Sequence, residues 1–589
     1  MSILVQIRDV KNGWIEFVDP IGLYLANSIS EVKDTIRKAE KRSLEENLWM
    51  VGFLSYEASK AFDEKYITNH PNKNFPLAWF ALFDKPIYKA EPFFSNNYYG
   101  SSLEWIPEIE KNVYLSNIQN IKNLIRSGQT YQVNYSYRLN SEFIDYISCS
   151  RELFSEMIKN QPIGYGAYIE TENFSIASAS NEIFFEKNGS NILCRPMKGT
   201  VSRGYDLKSD NGNSKWLIES EKNKAENLMI TDMVRNDLGK FSNYGSVDVT
   251  SLFEIEKYPT LWQMTSSVKA KTSANLLTIL TSLFPAASIT GAPKHRTMEI
   301  ISNLESSPRE IYTGSVGLMR PDGSCQFNVA IRTAWFNNIT KKASYSVGGG
   351  IVIDSQEEEE WQECNTKSII IKNNIRDFNL LETIKWDELQ GFYFLQNHLE
   401  RLKKTSIFFG RPFDSENIIE KLNKDIDNFN SSKKNQYPLR IRLLLDTLGL
   451  AKTEISKLDD FIEPYNVLVS NLTYDVARNT FIANKTTNRK IYEDALIEAK
   501  KIQPSIQDVI IINKNMELTE STIANLFVEV KGKLLTPPEI SGLLPGIYRQ
   551  HLLDTGKAEE EILNLDILDK ATNFFLANSV RGLWPINIV

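Results

Sequence analysis

A mixed α/β fold rich in antiparallel strands, divided into more than one unit, is predicted by three features of the sequence. The 589 residues exceed what one hydrophobic core supports, since cores stop growing beyond about 250–300 residues. Apolar blocks that alternate like strands are interleaved with segments of helical period, and the turn Pro321-Asp322-Gly323 joins the strand-like runs 314–319 and 326–331 into a hairpin. A seam at 371–375 is followed by a new strand pattern from Phe378. With 42% apolar and 24% charged residues, the composition is that of a folded globular chain.

Three segments follow. Residues 1–105 read as short strands with one helix at 29–47, ending in the polar, aromatic stretch Phe94-Ser95-Asn96-Asn97-Tyr98-Tyr99-Gly100. Residues 106–373 alternate helices with β-rich blocks. Here a helix at 219–238 is stopped by Gly239 at its C′ position, and another helix follows Gly348-Gly349-Gly350. Residues 374–589 form the last segment, with the polar stretch 428–436 as an exposed connection inside it. No internal repeat is evident.

Composition excludes several classes of function. A formal charge of −7 and a pI near 5.6 disfavour a nucleic-acid partner, which calls for basic excess. The first residues lack a basic segment leading into a long apolar one, and no apolar run approaches a membrane span, so a cytoplasmic chain without a membrane partner is expected. Cys149, Cys194, Cys325 and Cys364 are scattered without zinc or disulfide spacing, and none sits in the Gly-x-Cys-x-Gly elbow of a glutamine-hydrolysing nucleophile. Four histidines leave the chemistry to carboxylates and lysines.

Lys198, in Arg195-Pro196-Met197-Lys198-Gly199-Thr200, lies between a proline-fixed turn and a glycine, where a lysine is either a solvated point charge or a nucleophile. On the helix at 219–238, Glu226 falls with Met229, Ile230 and Met233 at i, i+3, i+4 and i+7, which places a carboxylate in the apolar stripe. Such a group needs an Arg, a Lys or a metal ion as partner. The run Glu357-Glu358-Glu359-Glu360 suits a solvated helix start equally well as a site. Glu360 and Glu363 share one helix face, however, and with Glu226 they offer the oxygen ligands that Mg²⁺ prefers. Residues 288–296 read as a strand end, a glycine turn and a helix with Pro293 first, whose free N–H groups favour an anion. Arg332, read as a strand residue, is either a structural pair or a clamp for a carboxylate.

In order, Pro196-Met197-Lys198-Gly199-Thr200, Ala225-Glu226-Asn227-Leu228-Met229, Arg235-Asn236-Asp237-Leu238-Gly239, Ile289-Thr290-Gly291-Ala292-Pro293-Lys294, Ile331-Arg332-Thr333 and Gly349-Gly350-Ile351-Val352-Ile353-Asp354-Ser355 resemble the chorismate-utilising enzymes, over about residues 1–370. The resemblance implies an α/β sandwich with Glu226 and Glu363 as Mg²⁺ ligands and Glu360 close by through water. It implies Thr290, Gly291, Tyr312, Arg332, Gly349, Gly350 and Lys367 around chorismate. Relatives that aminate or hydroxylate at C2 carry alanine in place of Lys198, and lysine there marks the enzymes that aminate C4. Gln132 stands where the water-adding members place a lysine. The implied roles are Glu182 as acid on the departing 4-hydroxyl and Lys198 as nucleophile at C2, displaced when ammonia enters at C4. Gln263 departs from the pattern, which usually has histidine.

In the last segment, Lys485 ends a β-rich block and precedes a helix near Tyr492, Glu520 offers an acid, and Leu544-Pro545-Gly546-Ile547-Tyr548-Arg549 offers a glycine turn into a helix suited to phosphate. With Asn397-His398-Leu399-Glu400-Arg401-Leu402 and Asn578-Ser579-Val580-Arg581-Gly582, this set resembles class IV aminotransferases of fold type IV, over about residues 376–589. That fold comprises two α/β subdomains holding pyridoxal 5′-phosphate. The resemblance implies Lys485 in Schiff-base linkage, Glu520 at the pyridine nitrogen, and Arg401, Ser521, Ile547, Tyr548 and Ser579 in the cofactor site, with Tyr548 replacing a common threonine.

Joined on one chain, the two resemblances lead us to expect conversion of chorismate and ammonia to 4-amino-4-deoxychorismate, followed by loss of pyruvate to give 4-aminobenzoate, a folate precursor. Mg²⁺ and pyridoxal phosphate are the expected cofactors, a separate glutamine amidotransferase the expected source of ammonia, and a homodimer through the C-terminal half is expected by analogy. An anthranilate-type synthase joined to a true amino-acid aminotransferase is the competing reading, and a ligand-sensing relative with decayed sites a third.

Overall fold

The computed structural model describes residues 3–89, 91–92, 103–144, 146–160, 164–259, 261–372, 378–432, 438–458 and 464–589. The junction at 373/374, the 94–100 stretch and residues 433–436 lie outside the described residues, while 428–432, expected as part of an exposed connection, continue the helix Ser415–Ser432. The chain forms two compact units, one of Met1–Ser202 with Trp216–Ile375, the other of Arg203–Lys215 with Arg376–Val589.

The first unit contains two ten-stranded sheets. One runs Gly291–Ala292, Gln132–Glu142, Lys342–Ile351, Thr333–Asn337, Phe174–Ser178, Ala167–Glu170, Leu4–Asp9, Gly13–Val18 and Ile87–Lys89, with Ile106–Pro107 paired to its second strand. The other runs Met197–Ser202, Leu261–Lys271, Asn191–Cys194, Ile183–Asn188, Cys325–Asn328, Ser315–Met319, Trp49–Leu54, Ala78–Phe83 and Gly22–Ala26, with Asp248–Lys257 beside Leu261–Lys271. Strands from the first 105 residues are thus paired with strands from after residue 160 in both sheets. The expected hairpin is present, with Gly317 opposite Phe327 and Met319 opposite Cys325, and Gly323 in its turn has φ +77°.

Side chains buried on both faces explain the long apolar runs, since Trp49–Leu54 and Ala78–Phe83 are buried at every residue. The helix Val32–Glu45 buries Val32, Thr35, Ile36, Ala39, Glu40 and Ser43, the i, i+3, i+4 pattern of one face. Glu40 within that stripe is satisfied by accepting from the free N–H groups of Leu276 and Leu277, at the start of the helix Leu276–Leu283.

Arg309 is only 4% exposed and forks onto Glu305, with Nε and Nη2 at 2.8 and 2.7 Å from its two oxygens. It also donates to the carbonyls of Asn134 and Ile289. A buried pair broken on one side leaves an uncompensated charge, so Arg309→Ala is expected to cost about 3–5 kcal/mol. A denaturation midpoint for the first unit that moves by no more than that of a surface Arg→Ala control would refute this.

In the second unit a four-stranded sheet runs Gly391–Phe392, Leu380–Asp387, Leu439–Leu445 and Ala451–Lys457. One face packs Leu380, Ile384, Leu439, Ile441 and Leu443 against Leu399 and Leu402 of the helix Leu395–Phe409 and Ile418, Leu422 and Ile426 of the helix Ser415–Ser432. An eight-stranded sheet runs Leu518–Ser521, Asp508–Asn513, Asn466–Tyr474, Gly582–Ile588, Asn573–Asn578, Asn525–Val530, Lys533–Thr536 and Glu559–Glu560. Its first strand also pairs with its sixth, Glu520 opposite Asn525, which closes a ring. These are the two α/β subdomains expected.

The segment Arg203–Lys215 is held within this second unit. Arg203 forks onto the buried Asp210, donates to the Phe408 carbonyl and lies over the Phe408 ring, while the Asn484 amide donates to the Tyr205 carbonyl at 2.8 Å. No helix among the described residues is long and apolar enough to cross a membrane.

Candidate active sites

In the first unit a cavity of about 410 Å³ is lined by Lys198, Glu182, Glu226, Glu360, Glu363, Tyr312, Arg332, Gly350 and Lys367, all singled out in the sequence. Three glycines on the strand Lys342–Ile351 permit close approaches of its neighbours. A Cβ on Gly348 would stand 2.4 Å from the Tyr135 carbonyl, and one on Gly349 2.8 Å from Glu360 Oε2. One on Gly350 would stand 2.2 Å from Lys198 Nζ and 2.8 Å from Gln132 Nε2. The lysine amine therefore lies directly over glycine backbone. Beside it the Gln132 amide is wholly buried with neither polar atom hydrogen-bonded.

Burial pulls the Lys198 ammonium below the usual lysine range, opposed by the Glu226 carboxylate and reinforced by the Lys367 charge. Glu182 is 4% exposed, and burial pushes it up to about 7 although the Ser288 hydroxyl donates to it at 2.6 Å. A lysine eased towards its neutral form and a carboxyl eased towards its protonated form thus share one cavity, which is what a nucleophile and an acid require.

Lys367 bridges Glu363 at 2.6 Å and the Gly348 carbonyl at 2.8 Å. Glu360 accepts from the Ser355 hydroxyl, and burial together with the Glu363 charge raises it. Glu226 makes no hydrogen bond or ion pair among the described residues. The expected trio is not gathered, for no group of three metal-type side chains among the described residues converges on one point, and Glu363 is committed to Lys367. Mg²⁺ needs only one or two protein carboxylates when a substrate and water complete its shell. The unpaired Glu226 and the mutually repelling Glu360 and Glu363 on the wall of this one cavity fit such an ion.

Several expectations need correction. On the helix Glu221–Gly239 the buried residues are Asn227, Ile230, Thr231, Asp237 and Leu238, so the buried stripe is turned by one residue and Glu226 sits half-buried on its shoulder. Asn227 can occupy the core position because its amide donates to the Lys198 and Met264 carbonyls. Gly239 ends the helix from within. Pro293 is the N-cap of the helix Lys294–Leu304, and none of residues 293–296 lines the cavity, so this helix start is not its anion site. Thr290 and Gly291 lie behind the wall, where Thr290 is fully buried with its hydroxyl on the Ala286 carbonyl. Their neighbours Ser288 and Ile289 line the cavity instead. Gly349 also is absent from the lining and serves by admitting Glu360. Arg332 precedes the strand Thr333–Asn337 in a left-handed conformation, φ +50°, with Nη1 on the Lys367 carbonyl. Gln263 lines the cavity with its amide spent on Gly199 and Thr200.

A second cavity, of about 370 Å³, lies in the second unit and is lined by Lys485, Glu520, Ser521, Arg401, Ile547 and Ser579. Lys485 stands between the short helix Thr480–Ala483 and the helix Lys490–Ile502, its carbonyl tied to the Leu381 N–H. Burial, with the Arg401 and Arg489 charges, pulls its amine down to about 8. Glu520 is 4% exposed and pushed up to about 7 by burial. It accepts from the Tyr492 hydroxyl, the Leu544 N–H and the Asn525 amide. A carboxylate has about four acceptor directions, so one remains for a ring N–H.

Arg401 gives Nε and Nη2 to Glu382 and Nη1 to the Pro545 carbonyl, which leaves two of its five N–H groups. His398 also holds Glu382, and despite burial these partners keep that carboxylate down at about 2. Gly546 caps the helix Ile547–Asp554, and a Cβ there would stand 1.8 Å from Asn525 Oδ1. A lysine of lowered pKa, an acid with one free acceptor direction, a helix start and an arginine around one cavity fit pyridoxal phosphate. Tyr548 does not line the cavity; its ring packs against Phe394 and His551. Sequence reasoning missed the residues that brace Glu520, Tyr492 and Asn525, and three arginines of the wall, Arg440, Arg442 and Arg489.

Residues 91–373 match the chorismate binding enzyme family, and residues 379–589 match amino-transferase class IV. Aminodeoxychorismate synthase component 1 of Bacillus subtilis is 37% identical over 257 residues, 43% of this chain and 54% of that protein. Anthranilate synthase component 1 1 of Haloarcula marismortui is 34% identical over 264 residues, 44% of this chain and 53% of that protein. The chain thus spans about half the length of these curated relatives. The crystal structure of anthranilate synthase component I from Streptococcus pneumoniae shares the fold, with TM-score 0.53 and 21% identity over 63% of this chain and 92% of that one. Along the chain, a match to the chorismate binding enzyme family is thus followed by a match to amino-transferase class IV.

Proposed function

We propose that the chain makes 4-aminobenzoate from chorismate and ammonia in two steps, the first in the cavity of Lys198 and the second in that of Lys485. The observation that carries the first step is the pairing of Lys198, eased towards neutrality, with Glu182, held near its protonated form, in one cavity.

The Lys198 amine bonds to ring C2 as both ring double bonds shift and the C4–O bond breaks, the 4-hydroxyl taking a proton from Glu182 to depart as water. Ammonia then bonds to C4 and the lysine leaves C2, so the sum is chorismate plus ammonia to 4-amino-4-deoxychorismate plus water. Arg332 and Lys367 supply cations for the substrate carboxylates. Mg²⁺ bound through one or two of the carboxylates Glu226, Glu360 and Glu363 would supply a charge that fixes a substrate carboxylate. The wholly buried Gln132 amide offers a donor and an acceptor beside the amine but no base, which disfavours activation of water.

In the second cavity, Arg401, Ser579 and the Ile547 N–H would hold the phosphate of pyridoxal phosphate, and Glu520 its ring nitrogen. Bound there, the cofactor draws electrons from the bond to be broken. Lys485 removes the hydrogen from ring C4 and returns it to the departing pyruvate as the ring becomes aromatic. Physical linkage favours this elimination over amino-acid transamination, because it consumes the first product. Ammonia is expected from a separate glutamine amidotransferase, and a homodimer through the C-terminal half is proposed by analogy alone.

The deciding experiment incubates the chain with chorismate, ammonium, Mg²⁺ and pyridoxal phosphate and identifies the aromatic acid. Formation of 4-aminobenzoate with pyruvate is expected, and 2-aminobenzoate would establish the anthranilate-type reading instead. Glutamine used as readily as ammonium would remove the need for a partner. As the acid, Glu182 must carry its proton, so amination is expected to fall as pH rises through about 7. That limb should be missing from the residual activity of Glu182→Gln; a profile unchanged by the substitution would assign the acid elsewhere.

A further inference from the structure

The Lys485 cavity carries more positive charge than a phosphate group requires. Its wall includes Arg401, Arg440, Arg442, Lys485, Arg489 and Arg581, against a single acid, Glu520. Arg401 belongs to the phosphate end, and Arg489 donates to the Thr522 carbonyl and lies 4.6 Å over the Tyr492 ring. Arg440 and Arg442 have no place in the cofactor reading.

Strand register fixes where these two stand. In the four-stranded sheet Leu381 lies opposite Leu444, Thr383 opposite Arg442, and Lys385 opposite Arg440. Leu380, Ile384, Leu439 and Ile441 face the helices, so the alternate residues Leu381, Thr383, Arg442 and Arg440 face the cavity, and all four line it. Leu381 is also the residue whose N–H binds the Lys485 carbonyl. The two arginines therefore form a row leading away from the Leu381 level, each step of two residues being about 7 Å. Arg442 touches Glu454 at 2.8 Å in a pair that is 39% and 43% exposed, a contact worth little in water. Arg440 is exposed and has no hydrogen bond or ion pair among the described residues.

An α-amino acid carries its amine and carboxylate on the same carbon, so its carboxylate binds at the level of the lysine. In a ring amino acid with the groups at C1 and C4, the carboxylate lies across a six-membered ring from the amine. A cation one strand step out meets the second arrangement and misses the first. We infer that Arg442, backed by Arg440, binds the ring carboxylate of a substrate whose amine and carboxylate stand across a six-membered ring, and so selects 4-amino-4-deoxychorismate over α-amino acids. This rests on the elimination reading of the Lys485 site and deepens it. Both arginines are specificity-determining residues rather than participants in bond breaking.

The test uses the full chain loaded with pyridoxal phosphate, as wild type, Arg442→Gln, Arg442→Lys and Arg440→Gln. Pyruvate release from 4-amino-4-deoxychorismate should show KM raised about tenfold or more in Arg442→Gln with kcat within about threefold, because a charge-assisted contact to bound substrate is lost. Arg440→Gln should raise KM by less. Arg442→Lys should recover only part of the loss, since a point charge cannot fork. Separately, 4-aminobenzoate and 4-aminobenzamide are titrated against the absorbance band of the bound cofactor. Wild type should prefer the acid about tenfold, and Arg442→Gln should erase that preference. An equal preference in both proteins, or an effect on kcat alone, would overturn the inference. Absence of pyruvate release in the wild type would instead count against the elimination reading, while the titration would still decide the role of Arg442.

Discussion

Lys198→Ala is expected to abolish formation of 4-amino-4-deoxychorismate, with a loss of at least about a thousandfold, because the amine proposed to bond to C2 is gone and Lys367, on the same wall, is held by Glu363. The fold should survive, since Nζ lies over the bare backbone of Gly350 and truncation opens space rather than crowding it. Pyruvate release from supplied 4-amino-4-deoxychorismate should stay at the wild-type rate, as that chemistry belongs to the other cavity. The informative measurement is the product spectrum, not only the rate. If the alanine variant still aminates C4 within about tenfold of wild type, direct attack by ammonia is the mechanism and Lys198 merely binds. Lys198→Arg separates these cases, because it keeps a cation beside Glu226 and Glu363 but cannot become a neutral nucleophile near pH 7.

Lys485→Ala is expected to accumulate 4-amino-4-deoxychorismate from chorismate and ammonium, with 4-aminobenzoate and pyruvate reduced at least about a thousandfold. The absorbance band of lysine-bound pyridoxal phosphate should vanish, whatever the rate of the first step. The sign of the pH dependence follows from the lysine being drawn down to about 8. Its amine becomes the proton acceptor as pH rises through that value, so elimination by the wild type should increase from pH 6 to 8. A variant that retains both the band and pyruvate release would show that another amine holds the cofactor.

The sequence displayed these two lysines and their acids through local motifs, and the hairpin at 321–323 and the helix after Gly350 through turn residues and period. It misplaced features that depend on partners distant in the chain. The helix Glu221–Gly239 was indexed by its methionines, yet Asn227 and Thr231 take core positions because Asn227 finds the Lys198 and Met264 carbonyls and the Thr231 hydroxyl the Asn227 carbonyl. Apolar counting cannot see a buried amide that is satisfied. Glu363 is paired with its i+4 neighbour Lys367, a partner that the spacing of the carboxylates alone does not reveal. Arg440 and Arg442 were readable as alternate residues of one strand, and only the register with Thr383 and Leu381 shows that their side faces the lysine.

The segment Arg203–Lys215 has a consequence for dissecting the chain. A single cut near residue 375 separates the two family matches in sequence but leaves this segment with the wrong fragment, since it folds with the second unit. The C-terminal fragment would then lose the Tyr205 carbonyl that holds Asn484, the residue immediately before Lys485. That carbonyl is only seven residues past Lys198. Gene fission at the apparent border would therefore yield a C-terminal fragment missing a splint beside Lys485, and supplying 203–215 as a graft is what would restore it.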